Sequence, residues 1–241
     1  DPFARKGLSS SLIRSVMPLW GSECIIFVNV AAYRRQISNP QEEPALRDLL
    51  GDGPFERLRA DFPHYTPRQQ EKLLLDQFEI AMKALGAGYV TKLRLHLKHP
   101  ERAHYVLFLT KSELGLEIVK GIMKTLGTHS AADLGCFEYV EEDCTQGDLF
   151  AGGPSQVDDL ACALVGRFVG RKLTVGGRYR EDQTRTHYTE GDYKEALQKL
   201  ESGYRGKKWI RVTVPEGRIR RPGTMPDDLV IEFPPAGQEG F

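Results

Sequence analysis

The chain has 241 residues, enough to bury a real core and to form about two domains of ordinary size. Its 33 basic residues balance its 33 acidic ones, which excludes a uniformly cationic coat. The longest apolar run, Cys24 to Val28, is far short of the roughly 18 residues a membrane span needs, so no membrane association is expected.

In chain order, Ser9-Ser10-Ser11 followed by Leu12, Ile13, Val16 and Leu19 predicts a capped amphipathic helix ending near Pro18–Gly21. The run Cys24–Val30 predicts a strand buried on both faces, as in a parallel sheet. Short helical pieces are expected around Leu46–Leu50 and Phe55–Ala60. A longer helix follows, with Thr66 as cap, Pro67 in its first turn and Gly86 closing it. Its buried face would be Leu74, Phe78, Ala81, Met82 and Leu85.

Tyr89, Thr91, Leu93, Leu95 and Leu97 alternate with Val90, Lys92, Arg94, His96 and Lys98, the period of a strand with one exposed face. A turn through Pro100–Arg102 would lead into a second strand, His104–Thr110, giving an antiparallel pair. Ser112 then starts a helix carrying Ile118, Val119, Ile122, Met123 and Leu126, stopped at Gly127. Residues 131–155, rich in acids and in Gly147, Gly152, Gly153 and Pro154, read as a linker.

Beyond it, helices at Val157–Phe168 and Thr189–Ser202 precede strand runs at Trp209–Val214 and Leu229–Phe233. Helices followed by a hairpin with a basic tip describe a winged helix-turn-helix. The expected organisation is an α/β domain over 1–130, an acidic linker over 131–155 and a winged-helix domain over 156–241.

Charge is segregated along the chain. Residues 133–159 hold eight acids and no Lys or Arg, whereas Arg167 to Arg221 holds fifteen Lys/Arg against seven acids. That asymmetry points to nucleic acid as a partner. The candidate phosphate-binding set is Lys194, Arg205, Lys207, Lys208, Arg211, Arg218, Arg220 and Arg221, grouped around Trp209 and the basic hairpin. Lys194 lies on the helix that would enter a groove, although Asp192 and Glu195 on the same helix oppose deep insertion.

Cys24, Cys136, Cys144 and Cys162 are scattered at neither zinc nor redox spacing, which fits reduced thiols in a cytoplasmic protein. His96, His99 and His104 straddle a strand turn with nothing to complete a metal site, so no metal is expected.

Asp1-Pro2-Phe3 resembles the turn that closes the fourth strand of many S-adenosylmethionine methyltransferases. The element order behind it resembles the second half of such a Rossmann-like sheet, whose last strand inserts antiparallel. Together with Ile25-Ile26-Phe27-Val28-Asn29, Gly115–Lys120 and the hairpin Arg221–Asp227, these residues make the chain similar to the three-Cys-motif partner proteins. That is a bacterial methyltransferase-like family encoded beside a radical S-adenosylmethionine protein with three cysteines.

The resemblance implies S-adenosylmethionine as the cofactor of the full-length family and the radical protein as a partner. It implies that Asp1, Pro2 and Phe3 line an acceptor site, Asp1 orienting a nucleophile and Phe3 stacking on the acceptor. Asn29, at a strand's C-terminal end, stands where α/β sheets place ligands, or else ties down the loop after it. The family's Asp-Leu-Phe-Ala-Gly-Pro-Gly cofactor loop has no counterpart before Asp1, so no cofactor binding is expected of this chain. Asp148–Pro154 looks like that loop, but Glu141–Gly147 before it cannot be a buried strand.

Two functions follow as expectations: a methyltransferase-like partner protein acting on or near nucleic acid, or a non-catalytic nucleic-acid or protein binding module.

Overall fold

A computed structural model describes residues 8–41, 43–96, 103–127, 129–140, 156–204 and 206–237. Among them it is mixed α/β, with nine α-helices and two sheets. The chain divides into two compact units, Asp1–Gly147 and Asp148–Phe241.

In the first unit, α1 (Ser10–Val16) starts at Ser9, whose hydroxyl accepts the Leu12 N–H. Strand β1 (Cys24–Asn29) runs directly into α2 (Val30–Ser38), followed by α3 (Glu43–Leu50) and α4 (Asp52–Asp61). Helix α5 (Pro67–Ala84) has the expected start: Thr66 and Gln69 form a reciprocal capping box, with Pro67 in the first turn. Gly86 ends it at a φ of 113°, a value only glycine takes without strain. Leu74, Phe78, Ala81, Met82 and Leu85 are all buried, as their spacing predicts.

The sheet is completed by β2 (Tyr89–His96), β3 (His104–Thr110), β4 (His129–Ala131) and β5 (Cys136–Val140), with α6 (Glu113–Leu126) between β3 and β4. Strand order is β1-β3-β2-β5-β4. β3 runs antiparallel to both β1 and β2, so those two are parallel to each other, and β2 pairs parallel with β5. One sheet face packs on α1–α5 through Ile26, Val28, Tyr105, Leu107 and Leu109. The other carries Leu93, Phe108 and Phe137 against Met123 of α6.

The structure corrects four sequence expectations. β1 is not buried on both faces: among the described residues it is the sheet's edge, paired antiparallel with β3 alone, and Ile25 and Phe27 are 74% and 57% exposed. An apolar run does not reveal whether a second strand flanks it. β2 has no exposed face at its centre, because β3 and β5 flank it and α5 lies across it, so Lys92 and Arg94 are buried.

The apolar positions of α6 span two faces. At 100° per residue Leu116, Lys120 and Met123 turn inward, while Leu114, Ile118, Ile122 and Leu126 turn outward and stay exposed. Finally, the stretch read as linker from residue 131 supplies the end of β4 and all of β5.

The second unit runs α7 (Gln156–Arg167), β6 (Lys172–Thr174), α8 (Val175–Asp182), α9 (Glu190–Ser202), β7 (Arg211–Thr213) and β8 (Val230–Glu232). Its three strands form an antiparallel sheet in the order β6-β8-β7. Leu160, Leu164 and Phe168 of the first helical segment meet Tyr193, Leu197 and Leu200 of α9 over Ile231 and Phe233. α8, unforeseen in the sequence, begins at Thr174, whose hydroxyl accepts the Gly177 N–H.

Candidate functional site

Asp1, Pro2 and Phe3 lie outside the described residues, as do His99, residues 148–154 and Arg205. Asn29 ends β1, and its side-chain oxygen accepts the Ala32 N–H at 3.2 Å. It is thereby the N-cap of α2. Opposite it in register stands His104, whose ring stacks on Phe27 at 5.2 Å. The His104 Nδ1 is buried with no hydrogen-bond partner among the described residues. Asn29, Phe27 and His104 therefore share one end of the sheet, on the face that leaves Phe27 open.

The other face holds an ionic cluster absent from any sequence motif. Arg94 donates from Nε to Glu71 at 2.8 Å and from Nη1 to Glu138; Tyr105 donates its hydroxyl to the same Glu71 carboxylate. His96 lies 3.4 Å from Glu138, and Lys92 reaches Glu79 at 3.7 Å. Burial works against the charge on Arg94, but Glu71 and Glu138 outweigh it and hold its pKa above the ordinary value. Burial pushes the Tyr105 hydroxyl up, helped by Cys136 and Glu71, and pushes the Cys136 thiol up to about 12. Cys136 is therefore inert at neutral pH. The sequence carried no signal for this cluster, because Lys92 and Arg94 fall on the alternate positions that an exposed strand face would also give to charged residues.

No group of three or more His, Cys, Asp or Glu that could hold a metal is found among the described residues. No helix among them is long and apolar enough to cross a membrane.

Three members of the basic set of the second unit hold carboxylates of that same unit. Lys194 pairs with Glu190 at 2.5 Å and with Asp227 at 2.9 Å. Asp227 is held below the usual carboxylate range by that ammonium. Arg218 pairs with Asp228 at 3.1 Å, and Arg220 grips Glu201 with both terminal nitrogens. Lys207, Lys208, Arg211 and Arg221 are exposed. Helix α9 carries Glu190, Asp192 and Glu195 beside Lys194, so its charge does not favour a phosphate backbone.

Sequence reasoning also passed over Trp20. Its side chain is 100% exposed beside a cavity of about 360 Å³ that Ser22, Glu23, Thr110, Lys111 and Ser112 help to line. Compared with protein-family models, with curated proteins and with solved structures, the chain matches none.

Proposed function

We propose that the first unit is the second half of an S-adenosylmethionine methyltransferase-like sheet and that the second unit is a winged helix holding nucleic acid near it. The observation that carries this reading is the insertion of antiparallel β3 between parallel β1 and β2, with β1 left as an open edge. A methyltransferase sheet continues past that edge into its cofactor half, whose strand would pair with β1 and whose helices would cover Ile25 and Phe27. Asn29, at the carboxyl end of β1, accepts the Ala32 N–H with its side-chain oxygen, which leaves its side-chain amide donors to face an acceptor.

Positioning is the larger part of methyl transfer, and the acceptor end would be Asp1, Pro2 and Phe3 with Asn29. For the second unit, the element order and the β6-β8-β7 sheet support a winged helix. Phosphate contact is given to the exposed Lys208 and Arg221 rather than to α9. By family resemblance the radical three-Cys protein is the protein partner.

Calorimetric titration with S-adenosylmethionine tests the first part. The chain extended through the residues encoded before Asp1 is expected to bind it, while residues 1–241 alone are not; an extended chain that fails to bind overturns the reading. Duplex DNA and RNA affinity across a salt series tests the second part. Lys208→Ala and Arg221→Ala are each expected to lower the salt slope by about 1.

The pairing of Lys194, Arg218 and Arg220 favours the second reading, a non-catalytic module that binds protein. It prevails if nucleic-acid affinity is absent and β1 instead captures the radical partner.

A further inference from the structure

The cavity beside Trp20 lies at the opposite end of β1 from Asn29. Glu23 immediately precedes the strand and Asn29 closes it, so six residues, or roughly 20 Å, separate the two places. Nothing in the proposed methyl-transfer reading uses this end of the sheet, so a role for the cavity stands or falls independently of it.

A tryptophan with its whole ring in water is uncommon, because the indole is one of the largest apolar groups available for burial. Here the loop that carries it is fixed from both sides. Gly21 turns at a φ of 67° immediately after it, and Lys111 Nζ donates to the Leu19 carbonyl immediately before it. The ring is thus held out beside a space of about 360 Å³, within the range of small-ligand sites.

The polar walls are oriented too. Thr110, 1% exposed, receives the Ser112 N–H and donates its own hydroxyl to Glu23 at 3.1 Å, which fixes the carboxylate at the cavity. Gly115 makes that possible, since a Cβ there would stand 2.6 Å from the Glu23 oxygen and 2.9 Å from the Thr110 hydroxyl. Ser112 is committed to capping α6. Recognition therefore falls to an indole face, a carboxylate and the remaining two donors of the Lys111 ammonium.

An ionised carboxylate only accepts hydrogen bonds. Among the common bases, guanine alone presents two adjacent ring-edge donors, N1–H and N2–H; adenine and cytosine set an acceptor beside their donor, and uracil flanks its one donor with carbonyls. A base stacked on Trp20 with its edge toward Glu23 is therefore selected as guanine. Lys111 adds attraction for the phosphate that a nucleotide carries. We infer that the Trp20 cavity binds a guanine base, either in a free guanine nucleotide or at an unpaired position of a nucleic acid.

Saturation-transfer NMR and calorimetry on the whole chain test this with GMP, AMP, a short single-stranded oligonucleotide containing one guanine, and its guanine-free counterpart. GMP or the guanine oligonucleotide is expected to bind saturably, at least about tenfold tighter than its adenine counterpart. Trp20→Ala should remove at least about tenfold of the affinity, and Glu23→Gln should erase the preference for guanine while stacking persists. Gly115→Ala, which leaves Trp20 and Glu23 in place, should weaken binding by displacing the carboxylate; thermal melts report whether each variant folds.

Binding of GMP identifies the free nucleotide as the source, and binding of the oligonucleotide alone identifies a nucleic acid. Equal affinity for GMP and AMP, affinity that survives Trp20→Ala, or no binding of any probe overturns the proposal.

Discussion

Each unit buries an arginine, and the two are handled in opposite ways. In the first, Arg94 reaches Glu71 and Glu138, and Tyr105 shares the Glu71 carboxylate. In the second, Arg178 of α8 is fully buried, yet none of its three guanidinium nitrogens finds a hydrogen-bond partner among the described residues. Its carbon instead sits 3.5 Å from the centre of the Phe168 ring and 4.6 Å from that of Phe233. Arg94 is held by directed charge, Arg178 by two aromatic faces.

The energetic consequences differ. Burial, with Arg171 nearby, pulls the Arg178 pKa down to about 10, well below the ordinary arginine value, a cost to the charged form of roughly 3 kcal/mol. Two desolvated cation–π contacts at about 2 kcal/mol each return a similar amount. Arg178 is therefore close to neutral for stability. The Arg94 cluster is different: its members tolerate burial only together, so losing any one strands the others.

That contrast predicts a ranking. Glu71→Ala should cost about 3–5 kcal/mol in the first unit, because it leaves Arg94 and the Tyr105 hydroxyl without their shared acceptor. Urea unfolding read by amide exchange in each unit checks this, and the second unit should be unmoved. Phe168→Ala should cost the second unit about 3–4 kcal/mol, since it opens a cavity and uncovers Arg178. Arg178→Met, which keeps the volume and removes the charge, should change stability by no more than about 1 kcal/mol. A large loss there would mean that the guanidinium has hydrogen bonds the contrast denies it.

The smallest effect is in pH. Arg178 binds its proton less tightly folded than unfolded, so its cost is complete below pH 10. It is relieved as pH rises above about 10, where the folded chain gives up the proton and the unfolded chain still keeps it. Unfolding curves of the wild type and Arg178→Met, compared over pH 8 to 11, should show the variant losing ground above pH 10 by about 1 kcal/mol or less.

Local chemistry made part of the fold readable. Thr66, Gln69, Pro67 and Gly86 bound α5 through contacts within a few residues, and Ser112 does the same at the start of α6. The β2–β3 pair follows from its alternation. What stayed hidden depended on distant partners. Arg94 is buried because Glu71 lies on α5 and Glu138 on β5, respectively 23 and 44 residues away in sequence. The exposure of β1 depends on what pairs beside it, which its own residues do not state.

Asn29 was legible as the end of a strand, but α2, which it caps, was not, because the sequence predicts strand as far as Val30 and no helix directly after it. The basic residues were countable in the sequence, but the carboxylates that neutralise Lys194, Arg218 and Arg220 were not assignable to them. Trp20 left no signal, because exposure is a property of the folded chain.

The open edge of β1 has a practical consequence for handling this protein. Cys24-Ile25-Ile26-Phe27-Val28 carries no charge, and Ile25 and Phe27 stand in water on a strand that, among the described residues, pairs on one side only. A strand in that condition is a template for amyloid-like stacking, so concentrated solutions of residues 1–241 should cloud with time. One lysine at Ile25, pointing outward where it disturbs no packing, should act as a gatekeeper and keep them clear.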